Sequence, residues 1–189
     1  MSDHILDDHR RAMEEAFFAK QEAELLRRLR GDADDAGANA ALAAATGVSD
    51  EAALARLREL GVRPAEAAAL TLYPMAAVAW ADGGFSEAER AIATQAAEAA
   101  GIQPGSPAFD LLRQWFSAAP SPAMAEAWRG YARALAAQLP AGDRRRLADD
   151  TLSRARALAD SSGGFFGFGR RISSAEERVL SDLQAAFEG

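Results

Sequence analysis

The sequence predicts an all-α fold: an orthogonal multi-helix bundle of about eight helices with an internal pseudo-repeat and an N-terminal helical arm. Three observations lead there. Of 189 residues, 49% are hydrophobic but only 7% aromatic, and much of the apolar content is alanine, the best helix former, while β-branched residues are scarce. Apolar side chains recur at three- and four-residue spacing in one segment after another. The boundaries between those segments carry helix punctuation, with Ser-Pro pairs and Ser-x-x-Glu boxes at the starts and glycines at the stops.

The chain opens with a charged helix from about Asp7 to Arg30, striped by Leu6, Met13, Phe17, Phe18, Leu25, Leu26 and Leu29. Acids crowd its first half and Arg27, Arg28 and Arg30 its last turn, which suits the helix dipole. A stripe this narrow either packs across the main body or mediates a homodimer. We therefore divide the chain into an arm, residues 1–31, and a helical domain, residues 32–189. His4, Asp8 and His9 lie in this charge-rich terminal stretch and read as solvated residues rather than as metal ligands.

After Gly31 a short alanine-rich helix runs to Thr46. Ser49 is the expected cap of the next, with Ala52, Leu54, Leu57 and Leu60 inward and Gly61 as its stop. Pro64 opens an apolar helix running to Ala81, which Pro74 should kink. Asp82-Gly83-Gly84 breaks it, and Ser86 with Glu89 forms a capping box that starts a helix ending at Gly101. Ser106-Pro107 opens a helix with Phe109, Leu112, Trp115 and Phe116 on one face. Ser121-Pro122 opens another, striped by Met124, Trp128, Tyr131, Leu135 and Leu139. The spacing explains these aromatics as core. A helix from Asp143 to Ala159 places Leu147, Leu152, Ala155 and Leu158 inward, and Arg144, Arg145 and Arg146 in its first turn read as a solvated charge run. The last helix, Ser174 to Phe187, carries Val179, Leu180 and Leu183.

The stretch Ala76 to Arg90, AAVAWADGGFSEAER, has a late echo: Ala159-Asp160, a glycine-rich segment, then Ile172-Ser173 with Glu176. Both run Ala-Asp, glycines, one apolar residue, Ser-x-x-Glu, which points to an internal duplication. From about Pro64 to Phe187 the chain resembles the tellurite-resistance TerB-like helical domain family through this "A-D-G, apolar, S-x-x-E" signature. The resemblance implies a non-enzymatic, stress-associated binding or sensing module working with protein partners in complexes near the membrane. It also implies that the acidic residues of the motif bind metal, and Asp82, Glu89, Asp160 and Glu176 are the positions that match.

The residues themselves leave two readings of these acids. If the two copies pack about a pseudo-two-fold axis, four carboxylates converge and favour a divalent cation such as calcium, magnesium or zinc; Asp82 at a helix C-terminus also faces a dipole that a cation would relieve. Alternatively the serines and glutamates are capping boxes and the aspartates turn formers, in a metal-free scaffold. Neither loop follows the EF-hand pattern. The segment Ser161 to Arg171, SSGGFFGFGRR, has two readings as well. Phe165, Phe166 and Phe168 either fold into the core or stand exposed beside Arg170 and Arg171 as a docking or membrane-surface finger.

Composition limits the function classes. A formal net charge of −7 argues against nucleic acid, which needs a concentrated basic footprint. The absence of cysteine rules out disulfides and thiolate zinc sites. The acidic N-terminus does not resemble a signal peptide, and no apolar run reaches membrane-span length, so a cytoplasmic location is expected. No nucleophile stands in a recognisable setting and no phosphate or dinucleotide fingerprint occurs, so enzyme activity is not expected. A metal-dependent hydrolase would need more ligands than the chain displays.

Overall fold

The chain divides into two compact units, Met1–Ala40 and Ala41–Gly189. A computed structural model describes residues 37–162 and 172–188. The expected arm of residues 1–31, the histidines, and Phe165, Phe166, Phe168, Arg170 and Arg171 all lie outside the described residues.

The described residues are helical, with no strand among them. In order they form α1 (residues 37–46), α2 (Glu51–Glu59), a 3₁₀ segment (Ala67–Leu72), α3 (Tyr73–Ala79), a 3₁₀ turn (Trp80–Asp82), α4 (Glu87–Ala99), α5 (Pro107–Ser117), α6 (Pro122–Ala137), α7 (Ala141–Ser162) and α8 (Ser174–Glu188). No described helix is long and apolar enough to cross a membrane.

Helix α3 is the centre of the second unit. Tyr73, Pro74, Met75, Ala76, Val78 and Ala79 are all buried, as a helix apolar on every side requires. It packs against α7 and α8 and touches α5; α8 also lies on α6 and α7, α2 lies on α6, and α4 lies on α7. Aromatic rings bind the centre together. Tyr73 stacks on Trp128 with centroids 5.3 Å apart and meets the edge of Trp115 at 5.6 Å, and Trp128 meets Phe187 edge-on at 5.9 Å. Such pairs are worth about 1 kcal/mol each beyond their burial. The aromatics of α5 and α6 are therefore core, as their spacing predicted.

Two starts differ from expectation. Asp50, not Ser49, caps α2: its carboxylate accepts from the Ala53 amide at 2.8 Å, while the Ser49 hydroxyl donates to Gln138 Oε1. A carboxylate acceptor makes the stronger cap bond; Leu54 and Leu57 are buried as expected, joined by Ala53 rather than Ala52. The expected continuous helix from Pro64 with a kink at Pro74 is instead a 3₁₀ segment followed by a separate helix, with Pro74 in the first turn of α3. Proline has no N–H to donate to the Leu70 carbonyl. That oxygen accepts from the Tyr73 amide and from the Trp128 indole at 2.9 Å, so a buried acceptor loses nothing.

The other helix starts follow the sequence. Ser86, Ser106 and Ser121 cap α4, α5 and α6 through their hydroxyl oxygens. Helix α7 runs farther than expected at both ends, from Ala141 to Ser162. Its Arg146 pairs with Asp143 at 3.6 Å in an exposed setting, in keeping with a solvated charge run.

The turn after α3 is a tight helix stop. The Gly84 amide donates to Ala79 O at 3.1 Å and that of Gly83 to Trp80 O, the paired bonds of a Schellman motif. Gly83 and Gly84 sit at φ 108° and 122°. At Gly84 a Cβ would also come within 2.9 Å of the Trp80 ring, which is held because its indole donates to Trp115 O at 2.7 Å. Gly84→Ala is therefore expected to destabilise the fold by about 2–3 kcal/mol, and Gly83→Ala, which meets no neighbouring atom, by less; urea unfolding of the two variants against the parent measures the difference.

Candidate functional site

The site is built from the starts of two helices and the turn before one of them. At the start of α4 the Ser86 amide donates to Glu89 Oε2 at 2.7 Å, and the Glu89 amide donates to Ser86 Oγ at 3.2 Å. At the start of α8 the Ser173 amide donates to Glu176 Oε2 at 2.7 Å, and the Glu176 amide donates to Ser173 Oγ at 3.1 Å. These are two reciprocal capping boxes of the same geometry. Both glutamates are buried, Glu89 at 4% exposure and Glu176 at 2%, the two buried charged side chains among the described residues. An ordinary capping glutamate lies at the surface, so burial needs a cause beyond the box.

Tertiary packing supplies it. Helix α8 lies against α3 and against the Trp80–Asp82 turn, and the charge of Asp82 in that turn reaches Glu176 at the start of α8. Burial raises the Glu176 carboxyl above its ordinary value of 4.5; the Ser173 hydrogen bonds act against this, and the negative charges of Asp82 and Glu89 add to the rise. Two of the other three predicted acids, Asp82 and Glu89, thus act on Glu176. Asp160 is exposed and lies in the last turn of α7, and its charge is not among those that act on Glu176.

The donors suit a hard cation in kind, since all are carboxylate oxygens and two are withdrawn from water. In arrangement they are open: among the described residues no group of three or more His, Cys, Asp or Glu side chains stands close enough to hold a metal ion. Each capping bond uses Oε2. Oε1 of Glu89 and Glu176 and the exposed Asp82 carboxylate are the atoms left to meet a ligand.

Sequence reasoning missed what lies beside this turn. Tyr73, Trp80, Arg129 and Asp182 line a cavity of about 270 Å³. Burial pushes the Tyr73 hydroxyl up to about 12, against the pull of the Arg129 guanidinium, so the phenol stays protonated throughout the physiological range. Its place in an apolar run just before Pro74 marked it only as core.

The chain matches no protein-family model, and no curated protein or solved structure matches it.

The raised Glu176 carboxyl ties stability to pH. The folded state holds this proton more tightly than the unfolded chain, so its contribution is fully present below the ordinary carboxylate value and is lost as pH rises through the raised one. Glu176→Gln keeps the capping acceptor and removes the charge, so it is expected to flatten the acid limb of stability against pH and to leave the protein at least as stable as the parent at neutral pH. Glu176→Ala, which deletes the cap, should cost about 1–2 kcal/mol. Urea midpoints across the acid-to-neutral range check both.

Proposed function

We propose that this chain is a non-enzymatic binding or sensing module resembling TerB, whose two acidic helix-turn motifs form a centre for a divalent cation. The observation that carries this reading is the facing of Asp82 and Glu89 from one motif onto the buried Glu176 of the other. Burying carboxylates beside one another is unfavourable, and a cation is the ligand that would turn the arrangement to advantage. Asp82, Glu89 and Glu176 would hold it, with Asp160 as the matching acid of the second copy. Oxygen donors favour calcium or magnesium over zinc.

The pairing of elements supports an internal pseudo-repeat. Helix α3, its turn and α4 correspond to α7, the following segment and α8. Under that correspondence the contact of α4 with α7 is the counterpart of the contact of α3 with α8, and α3 meets α7 directly. The two capping boxes, alike in every bond, fit the same relation. The stress association and partners in complexes near the membrane rest on the resemblance alone.

A second reading is favoured by a specific observation. Both buried glutamates already satisfy the orphan amides of a helix start, and the described acids do not close into a three-ligand set. In that reading the module is a metal-free scaffold, interacting through its N-terminal helix and the Phe165–Phe168 segment.

Thermal unfolding separates them. Metal-free protein is scanned with calcium, magnesium or zinc, beside an Asp82→Ala, Asp160→Ala double variant; both aspartates are exposed, so the capping boxes survive the change. A cation that binds the native state raises stability by about 2.7 kcal/mol at a hundredfold excess over its dissociation constant. The expected result is a raised midpoint in the parent with calcium or magnesium that the double variant loses. A midpoint unmoved by every ion leaves the scaffold reading.

A further inference from the structure

We propose that the cavity between α6, α8 and the Trp80–Asp82 turn is a binding site for a small zwitterion, a free α-amino acid with an aliphatic side chain. Arg129 on α6 and Asp182 on α8 bring opposite charges to the lining of one hollow of about 270 Å³. That volume lies below the roughly 300–1,000 Å³ of sites for drug-sized ligands, so the occupant is smaller than those. The site is separate from the proposed cation centre, because none of Asp82, Glu89, Asp160 and Glu176 lines it.

Both charges forgo the partners that their own helices offer. Among the described residues three exposed arginines pair with an acid three positions away: Arg56 with Glu59, Arg113 with Asp110 and Arg146 with Asp143. Glu126 and Arg129 have the spacing and order of the last two pairs, yet they form no ion pair, and Glu126 lines a different hollow, between α2 and α6. On α8 Arg178 stands one turn before Asp182, within reach of such a pair, but its Nε donates to Ser174 O at 3.1 Å. Among the described residues neither Arg129 nor Asp182 has an ionic partner, and the two do not pair with each other across the cavity.

Arg129 is half-buried and Asp182 exposed, so the guanidinium gains more from a counter-charge. Its charge acts on Tyr73, which also lines the cavity, but burial keeps that phenol protonated and it cannot balance the arginine. A ligand carboxylate can, in the forked geometry that arginine favours. Asp182 is then placed to accept from the ammonium group of the same molecule.

A ligand with a single charge does worse. An anion drawn to Arg129 is opposed by Asp182, and a cation drawn to Asp182 is opposed by Arg129; a zwitterion meets attraction at both. The other walls include Ala77, Ala81, Pro120 and Val179, all half-buried and without a polar side-chain atom. An aliphatic side chain lying on them removes their remaining surface from water, whereas a polar one gains no partner there.

Equilibrium dialysis of the full chain against labelled leucine tests this. The expected result is saturable binding of one leucine per chain. Isocaproate, which is leucine without its ammonium group, and isoamylamine, which is leucine without its carboxylate, should compete at least about tenfold more weakly, as should glycine, which lacks the aliphatic side chain. Arg129→Gln and Asp182→Asn should each weaken leucine binding at least about tenfold, with helicity by circular dichroism as the check on folding. Asp182→Asn should also bring isocaproate level with leucine, a change of preference that a merely distorted cavity would not produce. The proposal is overturned if leucine shows no saturable binding up to about 10 mM, if isocaproate competes with the parent as well as leucine does, or if either folded variant binds leucine as the parent does.

Discussion

A helix with no solvent face constrains everything around it. Helix α3 buries nearly every side chain it has, so its two ends must be resolved inside the protein rather than against water. At its start Pro74 removes a donor, and the Leu70 carbonyl is satisfied by Trp128, a residue 58 positions later in the chain. At its end Gly83 and Gly84 close a Schellman turn over the Trp80 ring, which is itself anchored to Trp115 O. Trp128 also shares ring contacts with Tyr73 and Phe187, and Tyr73 with Trp115, which join α3, α5, α6 and α8. Hydrogen bonding and aromatic packing at the centre are thus one network, and neither part can be removed without exposing the other.

Electrostatics follows from the same packing. A capping box alone would leave Glu176 at the surface, with an ordinary titration. Laying α8 across α3 and its turn removes the carboxylate from water and faces it with two further negative charges, while the cap hydrogen bonds hold it in place. The unfavourable interactions are a consequence of topology, and they make Glu176 a group through which pH, and under the proposed function a cation, acts on stability. The cavity beside Arg129 arises differently. There α6 and α8 set opposite charges around one hollow without pairing them. The first feature gathers like charges and the second holds unlike charges apart, and both exist because α8 packs on α3, its turn and α6.

Helix identity was legible to the extent that its determinants are local. Ser106-Pro107 and Ser121-Pro122 open helices and Ser86 with Glu89 forms its box, because caps and prolines act within one turn. Where two local signals competed, sequence order misled. Asp50 outcompeted the adjacent Ser49, and Pro74 began a helix rather than bending one, since the partner for the freed Leu70 carbonyl comes from α6. Asp160, expected as a turn former, lies in the last turn of α7, because its neighbours Ala155, Leu158 and Ala159 continue to bury a helical face. In the candidate site, the four acids were legible by motif. The burial that raises the Tyr73 and Tyr131 phenols was not, since an aromatic in a helical stripe looks the same whether its polar tip is buried or wet.

The sequence by itself determined the all-helical character, most of the helix starts and stops, and the pair of Ser-x-x-Glu boxes, all of which depend on backbone preferences and bonds within a few residues. Only the tertiary structure decided that Glu176 is buried beside Asp82 and Glu89, that Leu70 and Trp128 share a bond, and that Arg129 and Asp182 line one cavity. Each of these depends on distances between residues remote in the chain, and burial, which sets the strength of every charge and hydrogen bond involved, exists only once the helices have packed.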